Sequence, residues 1–153
     1  MMQKAAYAGS FDPPTWGHLD IVTRAARFFD HVTVLVAENT TKQSLFSSQD
    51  RLKMLRTIFS DLQNVQVDVC TGLVVDYCRS HGVQTLIRGL RTISDYEYEA
   101  SMSRLNADLN PQVDTVFLLS KKDYLHLKSD VVKEIARFGG DLSKMVPPQV
   151  GQA

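Results

Sequence analysis

Apolar residues along the chain form short strand-like runs that alternate with segments of helical spacing. Short runs rich in β-branched residues, such as HVTVLVA at 31–37, are typical of parallel strands that are covered on both faces. Residues 65–69 alternate apolar with polar side chains instead, which indicates an edge or half-covered strand. The predicted strands are residues 4–8, 31–37, 65–69, 84–87 and 113–119.

Apolar residues at helical spacing fill the intervals between the strands. Ser47, Ser129 and the pair Ser94 and Glu97 are predicted to cap helices, and residues 73–80 form a short helix. The apolar faces are predicted to contain Leu19, Val22, Ala26 and Phe29, then Leu52, Leu55, Ile58, Phe59 and Leu62, then Tyr98, Met102, Leu105 and Leu109, and last Val131, Val132, Ile135 and Ala136. This alternation predicts a single α/β domain over residues 1–153, a Rossmann-like open five-stranded parallel sheet with helices on both faces.

Composition and charge limit the classes of function. The 153 residues are 44% hydrophobic and have a formal net charge of zero, which argues against non-specific nucleic-acid binding. No apolar run approaches the roughly 20 residues that a membrane-spanning helix needs, and no signal-peptide segment is seen, so we expect a cytoplasmic protein. Cys70 and Cys78 lack the spacing of a redox or zinc motif, so we expect reduced, buried thiols and no protein metal ligands.

The segment from Tyr7 to His18, YAGSFDPPTWGH, joins the first strand to the first helix. Gly9 tolerates backbone angles that other residues avoid, and the two prolines stiffen the connection. We expect Asp12 to order the turn by accepting hydrogen bonds from backbone N–H groups, with a metal contact as the alternative. A helix N-terminus after such a turn favours an anion, although the segment is neither G-x-G-x-x-G nor a P-loop.

Further candidates follow the other predicted strands. Strand by strand, they are Ser10 and His18, Lys42, Leu73 and Val74, Arg88 and Arg91, and the segment 120–129. Because ligands bind at the carboxyl ends of parallel strands, we expect these residues at one edge of the sheet. Three cations and an imidazole there indicate a site for several phosphates. The alternative is that Lys42, Arg88 and Arg91 are solvated surface charges.

Two motifs resemble those of a known family. The run GSFDPPTWGH at 9–18 is similar to the G-[ST]-F-D-P-x-T-x-G-H signature of the nucleotidyltransferases that carry T/H-x-G-H. The run IRGLR at 87–91 resembles the phosphopantetheine adenylyltransferases in particular, and Lys42 lies between the two motifs. The resemblance extends over nearly the whole chain, from about residue 4 to residue 148.

This resemblance implies a reaction and its ligands. In that family the phosphate of 4′-phosphopantetheine attacks the α-phosphorus of ATP, giving dephospho-coenzyme A and pyrophosphate without a covalent enzyme intermediate. The resemblance also implies Mg²⁺ held mainly by phosphate oxygens and water. It further implies a homohexamer, with coenzyme A as a candidate feedback ligand.

The resemblance assigns roles by matching positions. His18 would stabilise the transition state, and Ser10 and Lys42 would orient the attacking phosphate. Arg88 would help to hold 4′-phosphopantetheine, whose pantetheine arm would contact Val74. The residues that would face ATP are Ser10, Phe11, His18, Gly89, Leu90, Arg91, Glu99, Tyr124, Leu125, His126, Leu127, Lys128, Ser129 and Asp130.

The chain departs from the family pattern at two places. Relatives carry a run resembling I-S-S-[ST] before the last helix, where this chain has LKSD at 127–130. Lys128 would replace a hydroxyl with a cation, whereas Asp130 places a carboxylate near a phosphate or complements the helix dipole. Trp16 stands where relatives carry a small polar residue such as Asn, and we expect it to pack at the helix start.

Three hypotheses follow for the function. The first is the adenylyltransferase of coenzyme A synthesis, which the IRGLR motif and Lys42 favour. The second is a nucleotidyltransferase that acts on another phosphate acceptor, such as a nicotinate or glycerol phosphate. The third is a module that senses coenzyme A or adenine nucleotide without turnover, which the changes at Lys128 and Asp130 motivate. A pure sensor has no need of a transition-state ligand such as His18.

Overall fold

The computed structural model describes residues 2–38, 41 and 43–153. Within these residues five parallel strands form one sheet in the order β3-β2-β1-β4-β5. The strands are β1 (Lys4–Gly9), β2 (His31–Ala37), β3 (Val65–Cys70), β4 (Thr85–Leu90) and β5 (Asp114–Leu119). The predicted open parallel sheet is confirmed, and the alternating strand β3 lies at an edge.

Helices connect the strands. They are α1 (Trp16–Phe28), α2 (Ser48–Ile58), α3 (Val74–His81), α4 (Ile93–Leu109), α5 (Ser129–Arg137) and α6 (Pro148–Gly151), with a 3₁₀ turn at Lys122–Tyr124. The predicted cap of α2 is confirmed, because the Ser47 hydroxyl accepts the Asp50 N–H at 3.1 Å. Among the described residues, no helix combines the length and apolar character needed to cross a membrane.

Alternate residues of β1 belong to the cores on opposite sides of the sheet. Ala5 and Tyr7 belong to the larger core, which also includes residues of α1 and α2. Ala6 and Ala8 belong to clusters that include Cys78 of α3 and Cys70. The sheet is therefore covered on both faces at its centre, which explains the nearly continuous apolar sequence of β1 and β2. Both cysteines are free and buried, as predicted.

The face of α1 is turned slightly from the prediction. Ile21, Val22 and Ala25 are its buried residues, whereas the prediction combined Val22 with three flanking positions. Leu19 and Phe29 still pack against the core from its margin. The adjacent buried residues Ile21 and Val22 widen the apolar stripe of α1, so the predicted spacing of three and four residues does not identify the centre of the stripe.

The strand β4 is longer than the predicted 84–87. It continues through Leu90, with Arg88 paired to Phe117 and Gly89 paired to Leu118 of β5. A charged residue followed by glycine suggests a loop, but pairing with β5 outweighs this local preference. Arg88 therefore lies within the strand and not after it.

Two predicted helix caps are wrong. α4 begins after Thr92, whose hydroxyl accepts the Asp95 N–H, so Ser94 lies inside the helix. The N-cap of α5 is Lys128, with no side-chain cap, and Ser129 is the first helical residue. The Ser129 hydroxyl donates instead to the Pro13 carbonyl at 2.9 Å.

The apolar stripe of α4 does not face the core. Its residues are all exposed, with Tyr98 at 65% and Leu105 at 55%. We call this set the α4 stripe, and it comprises Tyr98, Met102, Leu105 and Leu109. Asp95 and Glu99, which belong to the half-buried side of the helix, bind arginines. α4 therefore turns polar residues inward and apolar residues outward within this chain.

The sequence pattern does not predict α6. Val146 and Val150 form a small core with Val132 of α5, against which Met54 and Ile58 of α2 pack. Trp16 attaches this C-terminal segment to the start of α1. Its backbone N–H donates to the Met145 carbonyl at 3.0 Å, and its indole N–H donates to the Ser143 carbonyl at 3.2 Å.

Candidate active site

The turn between β1 and α1 fixes the orientation of His18. Thr15 and His18 form a capping box, in which the Thr15 hydroxyl accepts the His18 N–H and the Thr15 N–H donates to His18 Nδ1 at 3.0 Å. Because Nδ1 accepts, the proton of a neutral imidazole lies on Nε2. The Phe11 ring packs edge-on against the imidazole, with 4.9 Å between ring centroids. His18 is therefore held on one side and presents a donor on the other.

His18 is neutral at physiological pH in this environment. Burial, together with the positive charges of Arg91 and Arg88, lowers the pKa of His18 to about 4. The Tyr7 ring lies 6.3 Å from the imidazole, and burial raises the pKa of Tyr7 to about 12. A neutral imidazole can donate one hydrogen bond from Nε2 without adding charge to the site.

Asp12 orders the turn as predicted. Its carboxylate accepts the Leu45 and Phe46 N–H groups at 2.8 and 3.0 Å and pairs with Lys133 at 3.2 Å. Burial alone would raise the pKa of Asp12, but these hydrogen bonds and the lysine outweigh it and hold the pKa below its ordinary value. Asp12 thereby joins the turn to the residues before α2 and to α5.

A cavity of about 360 Å³ opens beside this turn. Its walls come from the ends of β1 and β4, the first turn of α1, the inward side of α4 and the segment before α5. Of the predicted site residues, those that line it are Ser10, Phe11, His18, Arg88, Gly89, Arg91, Glu99, Tyr124, Leu127, Lys128, Ser129 and Asp130. The structure thus brings together residues that are far apart in the sequence, as the rule for parallel sheets predicts.

Arg88 is fixed by three hydrogen bonds. Two of them form a bidentate pair with Glu99, at 2.8 and 2.7 Å, and the third goes to the Ala8 carbonyl at 2.5 Å. Burial disfavours the charge of Arg88, but the Glu99 carboxylate outweighs this effect and raises the pKa of Arg88. The two residues that the resemblance assigns to different substrates therefore form one ion pair.

Arg91 is oriented by two other contacts. Its backbone N–H and its Nε both donate to Asp95, at 3.0 and 3.2 Å, and its Nη1 donates to the Leu127 carbonyl at 2.9 Å. Sequence reasoning gives Asp95 no role at the site. Arg91 lies before the N-cap Thr92, so the i, i+4 rule for helix surfaces does not identify the pair from the sequence.

The departure from the family pattern at 127–130 lies at the cavity, whereas Trp16 does not line it. Lys128 and Asp130 both line the cavity. The Asp130 side chain is 86% exposed and lies 3.7 Å from Lys133, so the carboxylate is partly screened by a cation of its own helix. Gly89 forms part of the floor, where a Cβ would lie 3.3 Å from Ile21 Cγ1. Glycine therefore keeps the strand close to α1 at this point.

Some predicted residues lie elsewhere. Among the described residues, Val74, Leu90, Leu125 and His126 do not line the cavity. Val74 is the first residue of α3 and packs between two core clusters. Lys42 lies outside the described residues.

Arg51 is the residue that sequence reasoning misses. It lies on α2 with only 3% of its surface exposed, and its Nη1 donates to the Ser10 carbonyl at 2.6 Å. The signal in the sequence is weak. Arg51 adjoins Leu52 of the predicted apolar face of α2, but an arginine on a helix is usually exposed.

Comparison with solved structures supports the fold. A structure described as that of a "putative nicotinate-nucleotide adenylyltransferase" from Vibrio parahaemolyticus matches 99% of this chain and 91% of its own, with a TM-score of 0.73 at 18% identity. A lipopolysaccharide core biosynthesis protein from Thermoplasma volcanium matches 80% of this chain and 100% of its own, with a TM-score of 0.61 at 19% identity. At such identities the likeness concerns the fold alone.

Sequence relatives are much closer. Residues 6–135 match the cytidylyltransferase-like family. The phosphopantetheine adenylyltransferase of Desulforudis audaxviator is 51% identical over 97% of this chain and 91% of the relative. That of Dictyoglomus turgidum is 50% identical over 99% of this chain and 94% of the relative. The chain therefore belongs to the cytidylyltransferase-like family and, within it, to the phosphopantetheine adenylyltransferases.

Proposed function

We infer that this chain is an adenylyltransferase that transfers the adenylyl group of ATP to 4′-phosphopantetheine. A phosphate oxygen of the acceptor forms a bond to the α-phosphorus as the bond to the bridging oxygen of the β-phosphate breaks, and pyrophosphate leaves with that oxygen. The products are dephospho-coenzyme A and pyrophosphate. The observation that carries the proposal is the cavity in which His18, Arg88 and Arg91 meet at the carboxyl edge of the sheet.

His18 acts on the transition state. The Nε2 proton of the neutral imidazole donates to a non-bridging oxygen of the α-phosphate, where negative charge is crowded as the two substrates meet. The fixed Nδ1 contact and the Phe11 ring support this role, because a ligand held in place before reaction needs no reorganisation. Ser10 and Lys42 orient the attacking phosphate.

The remaining residues divide between the substrates. Arg88 holds the acceptor with Ser10 and Lys42, and Val74 contacts its pantetheine arm from the start of α3. The residues that face ATP are Ser10, Phe11, His18, Gly89, Leu90, Arg91, Glu99, Tyr124, Leu125, His126, Leu127, Lys128, Ser129 and Asp130. For Leu90, Leu125 and His126, which lie outside the cavity lining, backbone contact with an extended nucleotide is the simplest role.

We propose that Mg²⁺ enters with ATP and is held by phosphate oxygens and water. The carboxylates that line the cavity are already engaged, Glu99 by Arg88, Asp95 by Arg91 and Asp130 by Lys133. Among the described residues, no group of three or more His, Cys, Asp or Glu side chains could hold a metal ion. These residues fit a cation that arrives on the nucleotide.

We also propose a homohexamer in the cytoplasm, in which the α4 stripe is covered by another copy of this chain. A helix that turns Tyr98 and Leu105 to solvent and carboxylates inward is typical of an interface. Leu105→Glu should lower the mass measured by analytical ultracentrifugation. Phe28→Glu, a control at an exposed residue of α1, should leave it unchanged. An unchanged mass for Leu105→Glu would contradict this assignment of the stripe.

One assay tests the reaction and its alternatives. Pyrophosphate release from Mg-ATP is measured without an acceptor and with 4′-phosphopantetheine, nicotinate mononucleotide or glycerol 3-phosphate. We expect release only with 4′-phosphopantetheine, and coenzyme A as a feedback ligand should inhibit it. Release with another acceptor alone would favour a sibling nucleotidyltransferase, and ATP or coenzyme A binding without any release would favour the sensing module.

A further inference from the structure

Arg51 carries a buried positive charge without a carboxylate partner among the described residues. Its guanidinium donates to three backbone carbonyls, those of Ser10 at 2.6 Å, Phe46 at 3.2 Å and Ser47 at 3.3 Å. Burying a charge that no opposite charge compensates is costly, and an apolar residue would be the ordinary choice at a position facing a core. Packing of α2 alone therefore does not explain why this position carries an arginine.

The three carbonyls belong to two different loops. Ser10 follows β1, whereas Phe46 and Ser47 end the connection between β2 and α2. Asp12 makes a second link between the same loops, because it accepts the Phe46 N–H at 3.0 Å. The guanidinium and the carboxylate thus hold Phe46 from its carbonyl and from its N–H.

Phe11 lies between these two links and has an unusual backbone. Its φ of 49° falls in the left-handed region, which bulky residues avoid unless surrounding contacts hold them there. Arg51 fixes the carbonyl before Phe11, and Asp12 follows it in the chain. The ring that this backbone supports is the one that packs against His18.

We propose that Arg51 is a positioning residue of the active site, whose guanidinium ties the loop after β1 to the loop before α2 and so fixes Ser10 and Phe11. This rests on the proposed function, in which Ser10 orients the attacking phosphate and the Phe11 ring packs against His18. Among the described residues that line the cavity, Arg51 is absent, so its role is indirect. It acts on the acceptor's alignment through the two backbones.

Arg51→Lys keeps the charge but replaces a planar fork with a single ammonium, which cannot reach both loops with the same geometry. We expect the KM for 4′-phosphopantetheine to rise by about tenfold and kcat to fall by a similar factor, as for the loss of one charged hydrogen bond. The KM for ATP should change by less than about threefold, because most of the residues that face ATP, at 89–91, 99 and 124–130, lie outside the two loops that Arg51 joins.

Arg56→Lys is the matched control. Arg56 lies on the same helix but is exposed, and within the described part of the chain its guanidinium donates to the Val67 carbonyl at 3.4 Å. All three constants should stay at the parent values. Circular dichroism and thermal unfolding establish that each variant is folded at the assay temperature, and Arg51→Gln serves as a second variant that removes the charge.

The outcome separates positioning from general stability. A purely structural role lowers the active fraction, so kcat would fall while both KM values stay unchanged, and that result would overturn the proposal. Failure of both Arg51 variants to fold would overturn it too. Calorimetric titration with 4′-phosphopantetheine repeats the comparison without turnover. An inactive parent would therefore refute the proposed function, while a weaker affinity in Arg51→Lys than in Arg56→Lys would still support the role of Arg51.

Discussion

Replacement of Asp12 by asparagine should destabilise the protein far more than the same replacement at Asp130. Both carboxylates pair with Lys133, at 3.2 and 3.7 Å. Asp12 is 4% exposed and also accepts two backbone N–H groups, whereas the side chain of Asp130 is 86% exposed. The two variants therefore change the same charge and the same shape in opposite environments.

The magnitude follows from the hydrogen bonds of each carboxylate. Asparagine at position 12 can keep one acceptor oxygen towards Leu45 and Lys133, but its NH₂ group then faces the Phe46 N–H, donor against donor. A lost hydrogen bond to a charged group costs about 1.5–3 kcal/mol, and the weaker contact with Lys133 brings the total to about 2–4 kcal/mol. Asp130→Asn removes a surface ion pair, worth about 0–1 kcal/mol.

Thermal and urea unfolding at a fixed protein concentration measure both changes. For a domain of this size we expect the Tm to fall by about 5–15 °C in Asp12→Asn and by no more than about 4 °C in Asp130→Asn. Because the folded pKa of Asp12 is depressed, its contribution is present above the ordinary aspartate value of about 3.9 and is lost as the pH falls through the folded pKa. The difference between parent and variant should therefore shrink in acid. Equal losses in the two variants, or a difference that does not change with pH, would refute this reasoning.

Other predictions concern the reaction. His18→Ala should lower kcat by roughly two to four orders of magnitude with little change in either KM, and steady-state kinetics that show the loss only in KM would make His18 a binding residue. Because the pKa of His18 is about 4, the free enzyme already carries a neutral imidazole, so kcat/KM should not decline between about pH 6.5 and 8. A decline with rising pH there would mean that the imidazolium is the active form. Arg88→Ala should weaken 4′-phosphopantetheine more than ATP, and Arg91→Ala the reverse, in calorimetric titrations of each ligand; equal losses would indicate one undivided clamp. Lys128→Ala should weaken ATP about tenfold, less so at high salt, and an unchanged affinity would remove Lys128 from the nucleotide site.

The sheet could be predicted because its strands carry a local signal. Residues 31–37 are β-branched and nearly continuously apolar, and β2 has those same bounds. The strand β4 shows where this approach fails, since Arg88 and Gly89 oppose strand structure locally and are held there by pairing with β5. Pairing partners are distant in sequence, so a local pattern does not contain them.

The exposed stripe of α4 shows a second limit. Helical periodicity correctly identifies Tyr98, Met102, Leu105 and Leu109 as one face, but it does not tell which surface that face covers. In this chain Glu99 turns towards Arg88 and the apolar residues turn away. Periodicity therefore groups residues on one face of a helix, but the burial of that face is a separate property that the folded chain decides.

The candidate site could be placed because residues at strand ends converge, but their mutual contacts could not be predicted. The family resemblance assigns Arg88 and Glu99 to different substrates, whereas the structure pairs them at 2.7 Å. Arg51 was missed for a related reason, because its three acceptors are carbonyls, which every residue has and no sequence pattern marks. Which backbone carbonyls accept from Arg51 is decided by the folded positions of the two loops, so the sequence does not predict these hydrogen bonds.

The arginines of the site are engaged before any substrate arrives. Glu99 holds Arg88, Asp95 holds Arg91, and the Leu127 carbonyl takes a further N–H of Arg91. Each carboxylate offsets the charge of its arginine but also fixes the direction of the guanidinium. A free arginine side chain would lose rotamer entropy to reach the same position. Burial, together with the charges of the same two arginines, lowers the pKa of His18, so the imidazole is neutral and already oriented. In the proposed function, the carboxylates at the cavity would act by positioning the two arginines for the phosphates of the substrates, even though the net charge of the cluster is small.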